Sequence, residues 1–178
     1  MPFVCPSWLS FILYNPVRKA FTDRRRVLDE SFITPESIVL EIGAGNGFFT
    51  EAIAERAKKV IAVELQQGMV RKLRRRMQRF GDAVEIVQGD ISSADLSHDR
   101  VDICLLYYSF HEISRQDEAA VIIARTVKRG GVLSIYEPSI EVTSKNMDAT
   151  VSRFQSVGFS LEAEHANIFT RSARLRRQ

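Results

Sequence analysis

The chain has 178 residues, of which 45% are hydrophobic and 26% charged, with a formal net charge of +3. This composition matches an ordinary globular protein, so we expect residues 1–178 to form a single domain. No apolar run approaches the roughly 20 residues that span a bilayer, and the run at 8–14 lacks the features of a secretory signal. We therefore expect a cytoplasmic protein with no integral membrane association. The two cysteines, and the absence of a His/Cys cluster with metal-ligand spacing, predict neither a disulfide framework nor a metal site.

Segments typical of strands and helices alternate along most of the chain. Apolar runs predict strands at 37–43, 59–65, 83–90, 100–108 and 132–137. Apolar residues at helical spacing predict helices at 47–57, 67–80, 114–129 and 143–158. The tail, residues 159–177, alternates apolar and polar residues on both sides of Ala166 and Asn167, which predicts an antiparallel hairpin.

This alternation predicts an α/β fold. A mostly parallel, seven-stranded sheet would lie between helices on both faces, as a three-layer Rossmann-like sandwich with the antiparallel hairpin at its C-terminal edge. Residues 31–178 would form this core, and residues 1–30 an N-terminal helical extension. In such sheets ligands bind beyond the carboxyl ends of the strands, where the strand order reverses.

A glycine-rich loop follows the first predicted strand. Gly43, Gly45 and Gly47 fall between a strand and a helix, where backbone N–H groups and the helix N-terminus face the ligand site. The spacing is G-x-G-x-G, preceded by Glu41, and not the G-x-G-x-x-G of dinucleotide-binding folds. The loop predicts a ligand that lies close against bare backbone.

Two carboxylates lie at the ends of the next strands. Glu64 ends the second strand, where a carboxylate accepts hydrogen bonds from both hydroxyls of a ribose. Asp90 ends the third strand, where it would accept from an adenine amino group, with Leu65 and Ile91 as apolar walls for the ring. Because the predicted site contains two carboxylates and its glycine loop contains no lysine, it favours an adenosine ligand that carries a positive charge. The alternative is that Glu64 or Asp90, considered alone, is simply a solvated acidic residue at the end of a strand.

A resemblance to the class I S-adenosylmethionine-dependent methyltransferases is carried by three stretches, VLEIGAGNGFFTEAIAERA, KVIAVEL and VEIVQGDI, and covers roughly residues 38–138. It implies methyl transfer with S-adenosyl-L-methionine as the cofactor. It also implies a set of cofactor-binding residues: Glu41, Gly43, Ala44, Gly45, Gly47, Glu64, Leu65, Asp90, Ile91 and Leu106. A sulfonium methyl group is already activated, so the protein mainly has to align the acceptor, and a base is needed only for an acceptor that arrives protonated.

The methyl acceptor is expected at the end of the fourth strand, residues 105–113. Residues 39–65 closely resemble the adenine dimethylases of ribosomal RNA, but those enzymes carry an Asn-x-Pro-Tyr motif and an appended helical domain. This sequence has Tyr107-Tyr108-Ser109-Phe110 instead, and its SFHEI run is more similar to small-molecule C-, O- and arsenic methyltransferases. We therefore expect a small-molecule acceptor. The alternatives are an RNA methyltransferase and a non-catalytic, cofactor-binding partner subunit.

Three side chains near this strand end are the catalytic candidates. His111 titrates near neutrality and, with Glu112, forms an acid/base pair that would deprotonate or position the acceptor. The alternative is that this pair begins the following helix and faces water or caps it. Tyr107 and Tyr108 would wall the methyl site, and because neighbours on a strand point to opposite faces, we expect one at the site and the other in the core.

The first 30 residues are rich in aromatic and apolar side chains, with Asn15 and Arg18 among them. Similar extensions of small methyltransferases fold over the pocket, so the resemblance implies a lid at residues 1–30 with Asn15 and Arg18 as substrate contacts. The alternatives are a helix that simply covers the sheet, or a patch that contacts a membrane surface or a partner.

Basic residues cluster in three stretches, at 23–26, 71–79 and 171–177. Such clusters can contact phosphates, which keeps RNA open as an acceptor. In the middle stretch apolar residues recur at helical spacing, which places the arginines on a solvated face. For the C-terminal stretch both interpretations stay open.

Overall fold

The computed structural model describes residues 23–178. Asn15, Arg18 and most of the expected N-terminal lid lie outside the described residues. The described chain begins with helix α1 (Arg24–Glu30), and Asp23 caps this helix by accepting a hydrogen bond of 3.0 Å from the backbone N–H of Arg26.

Strands and helices alternate through the rest of the chain. The helices after α1 are α2 (Phe48–Ala54), α3 (Gln67–Met77), α4 (Gln116–Thr126) and α5 (Ser144–Ser156). The strands are β1 (Ile38–Ile42), β2 (Lys59–Glu64), β3 (Val84–Gln88), β4 (Val101–Tyr107), β5 (Val127–Pro138), β6 (Phe159–Ala166) and β7 (Thr170–Arg177). Short 3₁₀ turns occupy Gln78–Ala83, Ile91–Ser93 and Phe110–Glu112.

The seven strands form one sheet in the order β3-β2-β1-β4-β5-β7-β6. Strands β1 to β5 run parallel, and β7 pairs antiparallel with both β5 and β6. The predicted fold class, a mostly parallel sheet with an antiparallel C-terminal hairpin, is therefore confirmed. The strand order reverses between β1 and β4, so the loops at their carboxyl ends diverge and leave room for a ligand there.

Apolar side chains cover both faces of the sheet. Helices α1, α2 and α3 pack on one face through residues such as Val27, Phe49 and Leu73. Helices α4 and α5 pack on the other through residues such as Ile123 and Phe154. The central parallel strands are almost continuously apolar because they are buried on both sides.

The structure differs from the predicted helix at residues 114–129. Arg115, and not Ser114, occupies the N-cap of α4, and no side chain caps that helix. The helix ends at Thr126 because Val127 already pairs with Val101 as the start of β5. Gly131 lies inside the strand, where a Cβ atom would come within 2.6 Å of Val127 Cγ1. The glycine pair that predicted a helix stop therefore allows close packing within β5.

Candidate functional site

A cavity of about 750 Å³ opens at the carboxyl ends of the parallel strands, at the point where the strand order reverses. The predicted site residues that border it are Glu41, Gly43, Ala44, Gly45, Glu64, Leu65, Asp90, Ile91, Tyr107, Tyr108 and His111. Two further candidates do not border it. Leu106 is fully buried among apolar side chains on the α4 and α5 face of the sheet. Gly47 is the N-cap of α2, and a Cβ atom there would lie 2.9 Å from Leu73 Cδ1, so this glycine lets α2 pack closely on α3.

All three glycines of the glycine loop have positive φ, and at Gly43 and Gly45 the reasons differ. Gly43 has φ of 74°, and a Cβ atom there would lie 2.5 Å from Ser109 Cβ, so the loop packs directly on the chain after β4. Gly45 has φ of 58°, but a Cβ atom there would meet nothing within 4 Å. The backbone at Gly45 therefore borders open space in the cavity, as expected for a loop that meets a ligand with bare main chain.

Glu64, at the end of β2, is held by the loop that it faces. It is 6% exposed. Its Oε2 accepts a hydrogen bond of 2.8 Å from the backbone N–H of Gly45, and its Oε1 accepts one of 2.7 Å from the backbone N–H of Gln66. Burial raises the pKa of Glu64, while these backbone N–H groups act in the opposite direction. A carboxylate has about four acceptor sites, so these backbone groups orient Glu64 and still leave it able to accept from a ligand.

Glu41, inside β1, is 4% exposed and accepts a hydrogen bond of 2.5 Å from Thr50 Oγ1. Burial raises the pKa of Glu41 to about 8, against the hydrogen bond from Thr50, which lowers it. Near neutral pH the side chain is therefore largely protonated. A cationic group in the cavity would favour its ionised form.

Asp90 begins the 3₁₀ turn after β3. Its Oδ1 accepts a hydrogen bond of 2.9 Å from the backbone N–H of Ser92, and its Oδ2 lies 3.4 Å from a guanidinium nitrogen of Arg115. Burial by itself would raise the pKa of Asp90, but the hydrogen bonds from Ser92 and Arg115 hold it below its ordinary value. The side chain is thus an ionised acceptor on the wall of the cavity.

The two tyrosines at the end of β4 do not divide between the site and the core as predicted, because both border the cavity and both pack, partly buried, against the core. Tyr107 is the last residue of β4, and Tyr108 follows it with φ of 56°. This left-handed turn breaks the alternation of side chains along the strand. The two rings stack with centroids 4.4 Å apart and both border the cavity. Phe49 extends this aromatic wall, its ring centroid 4.2 Å from that of Tyr107.

His111 lies in the 3₁₀ turn between β4 and α4, with a carboxylate near each of its ring nitrogens. Nδ1 lies 2.5 Å from Oε2 of Glu137, and Nε2 lies 3.2 Å from Oε2 of Glu141. The backbone N–H of His111 also donates to Oε1 of Glu137, at 3.1 Å. Because Arg115 is the N-cap of α4, His111 and Glu112 do not cap that helix.

Glu137 and Glu141 were not among the predicted site residues. Glu137 is 1% exposed and lies at the polar end of β5, after the apolar run VLSIY. A carboxylate that ends an apolar strand is the same signal that identified Glu64 and Asp90, and it was available at this position too. Glu141 lies in the loop after β5, and the sequence carries no comparable signal for it.

Many residues of the basic clusters make contacts within the protein. In the C-terminal stretch, Arg174 and Arg176 both pair with Glu162, and Arg177 donates to backbone carbonyls. On α3 the buried side chains are the apolar ones, and the exposed face carries the basic residues Arg71, Lys72, Arg74 and Arg75. The solvated face predicted for this helix is therefore confirmed.

Charge is distributed unevenly around the cavity. Its lining, within residues 23–178, includes the carboxylates of Glu41, Glu64, Asp90, Glu112 and Glu141 but no lysine or arginine. In the same range, no His, Cys, Asp and Glu side chains cluster so as to hold a metal ion. No helix of this part of the chain is long and apolar enough to cross a membrane.

Sequence comparison points to methyltransferases. A family described as a methyltransferase domain matches residues 40–135, more than half of the chain. A probable ribosomal RNA small subunit methyltransferase A of Methanosarcina mazei is 35% identical over 120 residues, which cover 67% of this chain and 42% of that protein. This chain spans less than half the length of the ribosomal RNA methyltransferases that it matches, between 22% and 42% in three of them.

Solved structures share the fold over most of the chain. A SAM-dependent methyltransferase from Aquifex aeolicus superposes with a TM-score of 0.84 at 19% sequence identity, covering 97% of this chain and 98% of that one. A methyltransferase solved in complex with the Haloferax volcanii methyltransferase activator Trm112 superposes with a TM-score of 0.75 at 14% identity, covering 93% of this chain and 95% of that one. At these identities the likeness concerns the fold.

Proposed function

We propose that this chain, which belongs to the family of S-adenosylmethionine-dependent methyltransferases, transfers a methyl group to a small-molecule acceptor. The charge of the cavity lining is the observation that supports a small molecule as the acceptor. In the described part of the chain, the lining includes four carboxylates and the largely protonated Glu41, but no lysine or arginine. An RNA strand is a polyanion, and proteins hold it mainly through lysine and arginine on its phosphates. A neutral or cationic small molecule fits this lining better.

The residues present fit the cofactor. Open space beside the backbone of Gly45 leaves room for a ligand against the loop. The oriented carboxylate of Glu64 has lone pairs left for ribose hydroxyls, and Asp90 is an ionised acceptor for an adenine amino group, with Leu65 and Ile91 at the ring. Glu41 and the loop Gly43–Gly45 would hold the methionine end. When bound, the cofactor supplies an activated methyl group.

The acceptor would lie at the opposite end of the cavity. There the stacked rings of Tyr107 and Tyr108 would exclude water and orient a flat or apolar acceptor. His111, which also borders the cavity, would receive a proton from an acceptor that arrives protonated. These roles account for the three catalytic candidates.

The lid remains a proposal that α1 supports. Arg24 donates from its guanidinium to the backbone carbonyl of Phe48 at 2.8 Å, and Phe48 borders the cavity. Helix α1 therefore begins beside a residue of the cavity lining, which is the observation that supports the lid. Asn15 and Arg18 are the polar side chains that we propose for contact with the acceptor, in a single domain of residues 1–178.

Calorimetry with S-adenosylhomocysteine and a methyl-incorporation assay test the proposal together. We expect Glu64→Ala to weaken cofactor binding by about 1–3 kcal/mol, because charge-assisted hydrogen bonds are lost. Glu164→Ala removes an exposed carboxylate from β6 and serves as the control. Equal affinities of Glu64→Ala and wild type would contradict the ribose assignment.

Labelled methyl groups should be incorporated into pooled small molecules and not into RNA. RNA methylation is the second candidate, which the ribosomal RNA methyltransferase relatives and the basic face of α3 favour. Incorporation into RNA, with RNA affinity that falls steeply with salt, would replace the small-molecule proposal. Tight cofactor binding without turnover on either pool would instead favour a non-catalytic partner subunit.

A further inference from the structure

One carboxylate, Glu137, holds both the backbone and the ring of His111. Its Oε1 accepts from the backbone N–H at 3.1 Å, and its Oε2 lies 2.5 Å from Nδ1. Glu137 itself is 1% exposed at the end of β5, in a strand that pairs on both sides. A buried carboxylate on a paired strand cannot move away, so it favours the tautomer with the proton on Nδ1. Nε2 is then the nitrogen that remains for the cavity.

The second carboxylate, Glu141, has a different character. Its Oε2 lies 3.2 Å from Nε2 of His111, but its side chain is 61% exposed, in the loop that follows β5. An exposed side chain can turn towards water at small cost. An acceptor that enters the cavity can therefore take the place of Glu141 beside Nε2, while Glu137 stays on the opposite side of the ring.

The charges around His111 favour the ring once it has accepted a proton. Burial by itself would lower the pKa of His111, but the hydrogen bond and charge of Glu137, with the charges of Glu112 and Glu141, outweigh it and raise the pKa. These three carboxylates face the ring from the 3₁₀ turn, from β5 and from the loop after β5.

We propose that Glu137 is a positioning residue that directs Nε2 of His111 into the cavity, where Nε2 takes the proton that the acceptor loses during methyl transfer. This inference rests on the proposed function. The acceptor then belongs to the class that carries a proton on its nucleophilic atom. Its O–H, N–H or S–H bond breaks as the proton passes to Nε2. The freed electron pair bonds to the methyl carbon, and the electron pair of the methyl–sulfur bond stays on sulfur.

NMR of the full chain tests the tautomer without any variant. The ¹⁵N shifts of neutral His111, assigned by their loss in His111→Asn, should show the proton on Nδ1 and a bare Nε2. A neutral ring with its proton on Nε2 would overturn the proposal. The exposed residues His98 and His165 provide internal references in the same spectra.

A pH titration of the same signals tests the role of the Glu137 charge. In Glu137→Gln the titration midpoint of His111 should fall by about one pH unit or more, because the charge is lost while burial remains. Glu141→Gln should lower the midpoint less, and the exposed control Glu164→Gln should leave it unchanged. An unchanged midpoint in Glu137→Gln would overturn the proposal.

Both measurements need neither cofactor nor acceptor, so their outcome is separate from that of the proposed function. Failure of the NMR tests in a protein that binds S-adenosylhomocysteine would refute only the positioning role. Once an acceptor is identified, the rising limb of the kcat/KM pH profile should move to lower pH in Glu137→Gln. The size of this move should equal the change in the His111 titration midpoint measured by NMR. A purely structural role would lower activity and leave that limb in place.

Discussion

Replacing Glu41 by Gln should change how the stability of the cofactor-free protein depends on pH. The pKa of this buried carboxyl is raised from an ordinary value of 4.5 to about 8. Between these values the folded protein holds a proton that the unfolded chain has lost. Stability from this group is therefore fully present below pH 4.5 and is lost as the pH rises towards 8.

The size of the effect follows from the linkage of protonation to folding. A difference of one bound proton between the folded and unfolded states changes the free energy of unfolding by about 1.4 kcal/mol for each pH unit. The whole range from pH 4.5 to 8 therefore corresponds to about 5 kcal/mol. Gln resembles the protonated carboxyl and can still accept the hydrogen bond from Thr50 Oγ1. Between pH 5.5 and 7.5 the stability of Glu41→Gln relative to wild type should therefore rise by about 2–3 kcal/mol.

Urea unfolding at several fixed pH values measures this difference directly, because other titrating groups contribute equally to both proteins. Glu36→Gln removes a carboxylate from the surface and controls for the change in net charge. If the free energies of unfolding of wild type and Glu41→Gln run parallel across this pH range, Glu41 ionises in the folded protein with its ordinary pKa. The reasoning from its burial would then be refuted.

The carboxyl of Glu41 should release a proton when the ammonium group of the cofactor approaches it. Calorimetry near pH 7 in buffers of different ionisation enthalpy should detect this proton release in wild type and not in Glu41→Gln. Equal proton release in both proteins would contradict the proposed place of Glu41 at the methionine end. Gly43→Ala should destabilise the protein more than Gly45→Ala, because both positions have positive φ but a Cβ atom at position 43 would lie 2.5 Å from Ser109 Cβ, whereas one at position 45 would meet nothing within 4 Å. The left-handed backbone should cost about 1–2 kcal/mol at both positions, and thermal unfolding that shows equal losses would mean that the loop shifts freely away from Ser109.

Features that depend on local order were predicted from the sequence. The glycine loop, Glu64 and Asp90 each follow directly from the end of an apolar strand, and parallel strands bring such ends to one edge of the sheet. Their common place beside the cavity therefore needed only the alternation of strands and helices. The seven-stranded architecture followed in the same way.

Features that join distant segments were not predicted. His111 meets Glu137 because β4 and β5 are neighbours in a register that places Tyr107 beside Tyr136. The C-terminal arginines meet Glu162 because β6 and β7 pair antiparallel. A pattern of residue types does not specify either register.

The sequence by itself therefore determined the fold class and the family of this protein, and it identified the strand ends that a nucleoside would occupy. Only the tertiary structure decided which side chains meet beside the end of β4. The turn at Tyr108 stacks two rings that a straight strand would have separated, and the pairing of β4 with β5 supplies His111 with its carboxylate. Periodicity reports which face of an element is buried, whereas contacts between elements depend on how the strands are ordered and aligned.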